Sequence, residues 1–375
     1  MNILDLKLYD FRNYREFSAE FDPGVNLIVG NNAQGKTNLL EAIAYLGSGR
    51  SFRTQKNSEM IRFGSDFADL QGNVLSQERE QSLRWVLFPG RKPRQLWRNG
   101  AKKKTAADIS GVLQTVLFCP EDLMVLKTGA SARRRLADSA LCQLRPNYEA
   151  ALSEYNRILE QKNRILKDRH ENPILTDLLP EYNTRLCQVG ALLISYRARF
   201  FEGLSKAAAV YHDHFSSGRE EFSLTYKTVS TVSDPFATVD TLTGDLWDHL
   251  QSHYGAELES SQCLTGPHKD DFTVSLSGID LKAYGSQGQT RTAAISLKLA
   301  QRQLMEKASG QIPVLLLDDV LSELDPGRQD FVLNQITEGQ VFITCCEPGR
   351  FTKLGKTIEI EAGSLASLSG GGGCA

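Results

Sequence analysis

Apolar and polar residues alternate from the start of the chain. Ile3, Leu4, Leu6 and Leu8, then Phe17, Ala19 and Phe21, recur near a period of two, the spacing of strands with one buried face. Val25, Leu27, Ile28 and Val29 form a short apolar run that stops at a glycine. Leu39, Leu40, Ile43, Ala44 and Leu46 then switch to helical spacing, so strand, glycine loop and helix are predicted in that order. Strand-like segments return over 66–118 (Ala68–Leu75, Leu83–Phe88 and Arg94–Trp97), with Asn99-Gly100 as a hairpin turn, which predicts an antiparallel lobe. Between Pro120 and Gly218 the period lengthens. Tyr148, Leu152, Tyr155, Leu159, Ile165 and Leu166 fall near heptad spacing, and Leu186 to Phe201 repeats it. Pro173 and Pro180 divide this run into at least two helices, read either as a helical hairpin or as an ordinary helical subdomain. From Phe272 the order strand (272–276), helix (288–307), strand (313–318), helix (325–336), strand (341–345) resumes. The pattern predicts an α/β protein in four parts: 1–118 and 263–365 as two halves of one domain, 119–262 as a helical insertion, and 366–375 as a flexible Gly/Ser tail.

Composition adds exclusions. The chain has 375 residues, and its 43 Lys+Arg against 45 Asp+Glu leave a net charge of -2, so any polyanion site must be a local patch. No apolar run approaches the roughly 18–20 residues that span a bilayer, and the charged N-terminus lacks the apolar core of a secretory signal. A cytosolic protein is expected. The 7 cysteines show no CxxC spacing, which argues against a disulfide framework or a zinc ribbon. His212 with His214, and His249 with His253, lack the companions a structural metal needs.

Three motifs carry chemistry. Gly30-Asn31-Asn32-Ala33-Gln34-Gly35-Lys36-Thr37 fits GxxxxGK[ST], between the predicted buried strand and helix. In such a loop backbone N–H groups cradle the phosphates of ATP, Lys36 reaches the β/γ-phosphates and Thr37 ligates Mg2+. Val314-Leu315-Leu316-Leu317-Asp318-Asp319 is a buried strand ending in two carboxylates, the Walker B pattern. Asp318 is expected on the Mg2+ shell and Asp319 as the base that deprotonates the attacking water. Ser286-Gln287-Gly288-Gln289 opens a helix before that strand and is similar to the signature of ABC-type ATPases. Ser322-Glu323-Leu324-Asp325 matches the D-loop that follows Walker B in such proteins.

With these stand Phe11-Arg12-Asn13-Tyr14, Gly49-Arg50-Ser51-Phe52-Arg53, Pro120-Glu121-Asp122-Leu123, Arg133-Arg134-Arg135 and Leu264-Thr265-Gly266-Pro267-His268. In this order, from residue 11 to residue 325, the chain resembles the RecF family of bacterial recombination-repair ATPases, relatives of the SMC heads. The resemblance implies an ABC-type head, a mixed sheet with a P-loop core and an antiparallel β lobe, into which a helical arm is inserted. It implies a weak, DNA-stimulated ATPase used as a switch, forming an ATP-driven dimer on gapped or single-strand/double-strand junction DNA. Work with RecR and RecO to load RecA, support of the SOS response and maintenance of replication forks follow from the same likeness. Ser286, Gly288 and Gln289 would cap the nucleotide held by the partner subunit, and Arg12 and Asn13 would lie near the nucleotide. The chain departs from the family pattern at Lys127-Thr128-Gly129-Ala130 and Leu136-Ala137-Asp138, which flank the triple arginine. Pro120-Glu121-Asp122 stands in place of a Q-loop glutamine, and Thr344 is the polar residue nearest the place of the switch histidine. A nucleotide-binding subunit of another ABC machine and an interaction protein with a vestigial site are the alternatives.

DNA needs a positive contact. From Gln81 to Ala107 there are eight basic residues and no acid, among them Arg84, Arg98, Lys102, Lys103 and Lys104, interleaved with Trp85, Phe88 and Trp97. Arg133 and Arg134, with Arg135, form a second candidate. A solvated basic hairpin and arginines packed into the fold are the competing readings.

Overall fold

The structure, a computed structural model, describes residues 1–54, 56–346, 351 and 354–369. In chain order its elements begin with β1 (Asn2–Phe11), β2 (Tyr14–Glu20), β3 (Val25–Val29), α1 (Lys36–Ser48), β4 (Ala68–Ser76), β5 (Arg79–Leu87), β6 (Gln95–Arg98), β7 (Ala101–Lys103) and β8 (Thr115–Phe118). Then come α2 (Ala130–Leu144), α3 (Pro146–Asp168), α4 (Leu179–Ser216), β9 (Phe222–Lys227), α5 (Val239–Ser260), β10 (Asp271–Leu276), β11 (Ile279–Asp280), α6 (Leu281–Tyr284) and α7 (Gln287–Ser309). The chain closes with β12 (Val314–Leu317), α8 (Pro326–Gln335), β13 (Val341–Cys345), β14 (Lys356–Glu361) and β15 (Ser364–Ser369). They form two compact units, 1–123 with 298–375, and 124–297. Among the described residues no helix is long and apolar enough to cross a membrane.

The first unit has two six-stranded sheets. One, ordered β2-β1-β4-β5-β6-β7, is antiparallel throughout and is the lobe expected from the alternating pattern. The other, ordered β15-β14-β3-β13-β12-β8, is parallel from β14 to β8. Parallel strands covered on both faces read as apolar runs, which is why β12 is wholly apolar and β3 is apolar but for the buried Asn26. Helix α1 packs against strands of both sheets, so its apolar residues share one core with Ile3, Phe11, Trp85, Leu316 and Phe342. The Trp85 indole spends its N–H on the Leu46 carbonyl at 3.1 Å, which pins the antiparallel sheet to the end of α1.

The second unit is helical, with a small sheet of its own. Helix α4 packs against α3 and α5. Pro180 lies at the first turn of α4, where its missing N–H costs nothing, and Pro173 opens a 3-10 turn between α3 and α4. The insertion is not wholly helical, as the reading of 119–262 supposed. Phe222, Leu224 and Tyr226 alternate in β9, which pairs antiparallel with β10, and this pairing carries residues beyond 262 into the unit. At the C-terminus, 366–369 belong to β15, paired with β14, so that part of the expected tail is a strand; 370–375 lie outside the described residues.

Buried polar groups in the second unit are tied together across the chain. Arg197, 3% exposed, donates to Asp138, to Asp270 and to the Pro267 carbonyl. His268 accepts from the Tyr155 hydroxyl at Nδ1 and donates from Nε2 to the Cys263 carbonyl, an oxygen that can only accept. Burial lowers its pKa to about 4, so the ring is neutral and structural. Gly266 has φ +123, and a Cβ there would meet the Tyr155 hydroxyl at 2.3 Å. The Leu264–His268 motif is therefore a packing device.

Candidate nucleotide site

The carboxyl ends of β3 and β12, separated by β13, present the P-loop and the Walker B acids on one edge of the parallel sheet, the usual ligand crevice of α/β folds. The loop's path depends on two glycines. Gly35 has φ +119, and a Cβ there would lie 2.7 Å from the Asn13 amide; at Gly30 it would lie 2.4 Å from the Ile360 carbonyl. Asn13 Nδ2 donates to the Gln34 carbonyl at 2.8 Å, and the Tyr14 hydroxyl to the Gly35 carbonyl at 2.9 Å. The Asn13-Tyr14 pair thus braces the loop from the antiparallel sheet.

Lys36, 8% exposed, holds its ammonium over the loop, donating to the carbonyls of Gly30 at 2.6 Å and Asn31 at 3.1 Å. It also meets Cys346 Sγ at 3.4 Å, and that thiol reaches Asn32 Oδ1 at 3.0 Å. Thr37 Oγ1 donates to Asp318 Oδ1 at 2.9 Å. A hydroxyl and a carboxylate converging at the start of α1 are hard oxygen donors of the kind Mg2+ takes alongside phosphate, so these residues fit that ion. Burial raises the Asp318 pKa, and the charges of Asp319 and Glu121 push the same way against hydrogen bonds from Thr37 and Thr344. A cation would relieve that repulsion.

Thr344 links the two acids. From buried β13 its hydroxyl donates to Asp318 Oδ1 at 3.0 Å and accepts from the Asp319 amide at 2.8 Å. Asp319 sits in the left-handed region, φ 52, half-buried at the strand tip. Its carbonyl accepts from Ser322, while Asp325 of the expected D-loop caps α8 through the Arg328 amide.

Arg12, expected near the nucleotide, is tied to α1, the helix that follows the P-loop. Its guanidinium makes a bidentate pair with Glu41 of α1, at 2.8 and 2.7 Å, and also reaches the Glu59 carbonyl. Glu41 is fully buried, and Ser51 donates to it as well. Arg53 donates to Asn38, whose amide donates to Asn13 Oδ1. Residues of the 11–14 and 49–53 motifs therefore meet on α1. Glu41 was not singled out from the sequence, where an acid inside an apolar helix carries no local signal.

In the second unit Ser286 and Gln289 cap the start of α7: the Ser286 amide donates to Gln289 Oε1 at 3.0 Å, and the Gln289 amide to Ser286 Oγ at 3.2 Å. Gly288 occupies the first turn between them.

The basic candidates separate sharply. Arg133 is 1% exposed and is bound to Asp271 and to the carbonyls of Val125, Leu126 and Thr128, so it is a buried ion pair and not a DNA contact. Arg134 is half-buried and donates to the Asp270 carbonyl. Arg84 is paired with Asp69 on the neighbouring strand, an acid outside the 81–107 window, and Arg98 donates to Gln81 and to the Asp108 carbonyl. Register nevertheless places Lys7, Gln71, Arg84, Trp97 and Lys102 opposite one another on successive strands. Arg84 and Lys102 lie 5.3 and 5.8 Å from the Trp97 ring centre. Lys102 and Lys104 are exposed and Lys103 is half-exposed.

The family model described as the RecF/RecN/SMC N-terminal domain matches residues 2–364. The DNA replication and repair protein RecF of Agathobacter rectalis is 39% identical over 361 residues, 94% of each chain. That of Clostridioides difficile is 35% identical over 376 residues, 99% of this chain and 100% of its own. A solved structure of the recombination mediator protein RecF-ATPrS in the RecFOR pathway superposes with TM-score 0.90 at 33% identity, covering 98% of each chain. An Smc head from Pyrococcus furiosus, at 18% identity and TM-score 0.55 over 98% of this chain and 96% of its own, shares the fold. With a P-loop and Walker B acids on one sheet edge and near-full-length likeness to these relatives, the chain belongs to the RecF family, on an ABC-type ATPase head fold.

Proposed function

We propose that this chain is an ATP-dependent DNA-binding protein of recombinational repair and replication-fork maintenance. It dimerises on ATP at gapped or junction DNA and acts with RecR and RecO in helping RecA load and in supporting the SOS response. The observation that carries the reading is the meeting of Lys36, Thr37 and Asp318 at one sheet edge, with the Thr37 hydroxyl 2.9 Å from Asp318 Oδ1. Likeness to a RecF structure described as RecF-ATP, TM-score 0.87 and 33% identity over 98% of this chain and 97% of its own, supports ATP as the nucleotide.

The loop amides and Lys36 bind the phosphates, and Thr37 with Asp318 would hold Mg2+, which when bound neutralises phosphate charge. Asp319, half-exposed beside Asp318, accepts the proton of the attacking water. Ser286 and Gly288 at the start of α7 present hydroxyl, amides and helix dipole to the γ-phosphate of the partner's nucleotide. Asp319→Asn keeps side-chain size and removes the base. ATP is expected to bind, the dimer to persist in gel filtration, and single-turnover hydrolysis to fall by about 10²-fold or more. Unchanged hydrolysis would place the base elsewhere.

DNA binding falls to the outer edge of the antiparallel sheet, around Lys102, Lys103 and Lys104. Changing all three to Gln should weaken duplex binding and flatten its log–log salt dependence by up to about 0.9 for each phosphate that a lysine had neutralised, with ATP affinity unchanged. Fluorescence anisotropy across a salt series reads both. Identical slopes would make this run a solvated face.

A further inference from the structure

The signature loop is held by more than its own helix. Beyond the reciprocal cap of Ser286 and Gln289, Gln289 Nε2 donates to Glu220 Oε1 at 2.8 Å. The other oxygen of Glu220 accepts from His212 Nε2 at 2.9 Å, and His212 is fully buried near the end of α4. The backbone beside Glu220 is pinned too: the Ser277 amide donates to the Glu221 carbonyl at 2.8 Å, and the Glu221 amide to Ser277 Oγ at 3.2 Å. The Gln289 amide, first among several groups, holds the Glu220 carboxyl below its usual range, so it is ionised and a strong acceptor at neutral pH. Tyr284, two residues before Ser286, is exposed. A loop so tightly tied from behind has lost rotamer freedom that a plain helix start would keep. Pre-ordering of this kind strengthens a contact made on the loop's open side.

We propose that Glu220, anchored by His212, is a positioning residue for the signature motif. It fixes Gln289 so that the Ser286 hydroxyl and the first amides of α7 meet a nucleotide phosphate in one geometry. This rests on the reading that the signature acts on the partner subunit's nucleotide. The motif and the P-loop lie in different units, so loss of Glu220 leaves nucleotide binding at Lys36 and Thr37 intact while weakening the closed dimer.

The test compares Glu220→Ala, Glu220→Gln and Glu220→Asp with Ser286→Arg and Lys36→Ala, all in the full chain. Fluorescent ATP titration reads nucleotide affinity, and light scattering over a protein dilution series with ATP reads dimerisation. Glu220→Ala should bind nucleotide within about twofold of wild type, yet need about tenfold or more protein to dimerise, the size expected for a lost hydrogen bond to a charged group. Glu220→Gln still accepts from Gln289 and should recover most of the loss. Glu220→Asp, too short to span Gln289 and His212 together, should fall between them, and carries the comparison if the alanine variant does not fold. Mixed with Lys36→Ala, both Ser286→Arg and Glu220→Ala should regain part of the ATP-dependent association through the one intact composite site. If Ser286→Arg complements Lys36→Ala while the Glu220 variants dimerise like wild type, the positioning role is overturned and the trans reading stands. If Ser286→Arg and Lys36→Ala fail to complement, the trans reading falls and takes this proposal with it.

Discussion

Lys36→Ala is expected to bind ATP about 10²-fold or more weakly and to lose ATP-driven dimerisation. The ammonium belongs to a side chain 8% exposed and is held over the loop by the carbonyls of Gly30 and Asn31, at 2.6 and 3.1 Å. Charge-assisted bonds to phosphate contribute roughly 1.5–3 kcal/mol each, so losing two of them costs at least two decades in affinity. Loop and helix should survive, because Gly35 and the Asn13 and Tyr14 braces set the path of the chain without the lysine. Fluorescent nucleotide titration and gel filtration with ATP are the measurements. Wild-type affinity in this variant would sink the assignment of the site.

The second large effect is on stability. Lys162 of α3 and Glu257 of α5 form an ion pair at 2.6 Å with both side chains wholly buried. Glu257 also accepts from the Leu264 amide at 2.7 Å. Burial pushes the nearby thiols of Cys187 and Cys263 up to about 12 and about 11, so neither supplies a second anion for the lysine at neutral pH. Lys162→Met leaves an uncompensated carboxylate in the interior, and removing one partner of a buried pair costs about 3–5 kcal/mol. That corresponds to a fall in melting temperature on the order of 10 °C for a unit of this size. Adding Glu257→Gln removes the charge while keeping the acceptor for Leu264, so the double variant should regain most of the loss. Calorimetry or urea melts of the single and double variants test this. A single variant as stable as wild type would mean the pair contributes nothing.

How much was legible follows from the range of the interactions. The P-loop, the Walker B strand and the signature are contiguous, and each sits where a strand meets a loop or a loop meets a helix, so spacing and periodicity reveal it. The antiparallel lobe was legible too, since alternation marks a sheet with one buried face. Strand β9 was missed although Phe222, Leu224 and Tyr226 alternate, because a short strand among long helices is recognised through its partner β10.

Which of the charges are paired and buried could not be chosen from the sequence, which left packed arginines and free cations as competing readings. Arg84 meets Asp69 because strand register sets β4 beside β5, and Arg133 is buried because Asp271 waits for it across the second unit. In the string of residues both belong to basic runs indistinguishable from Lys102-Lys103-Lys104. Glu41, Thr344 and Glu220 are likewise ordinary in sequence and become supports of the site through partners from 8 to 69 positions away. The order of residues was enough to specify the nucleotide motifs, because a phosphate loop is built from consecutive backbone amides and one following side chain. Which cations remain for DNA, and which polar groups hold the motifs in place, was settled by the folded arrangement, because pairing and desolvation depend on neighbours in space that no local pattern encodes.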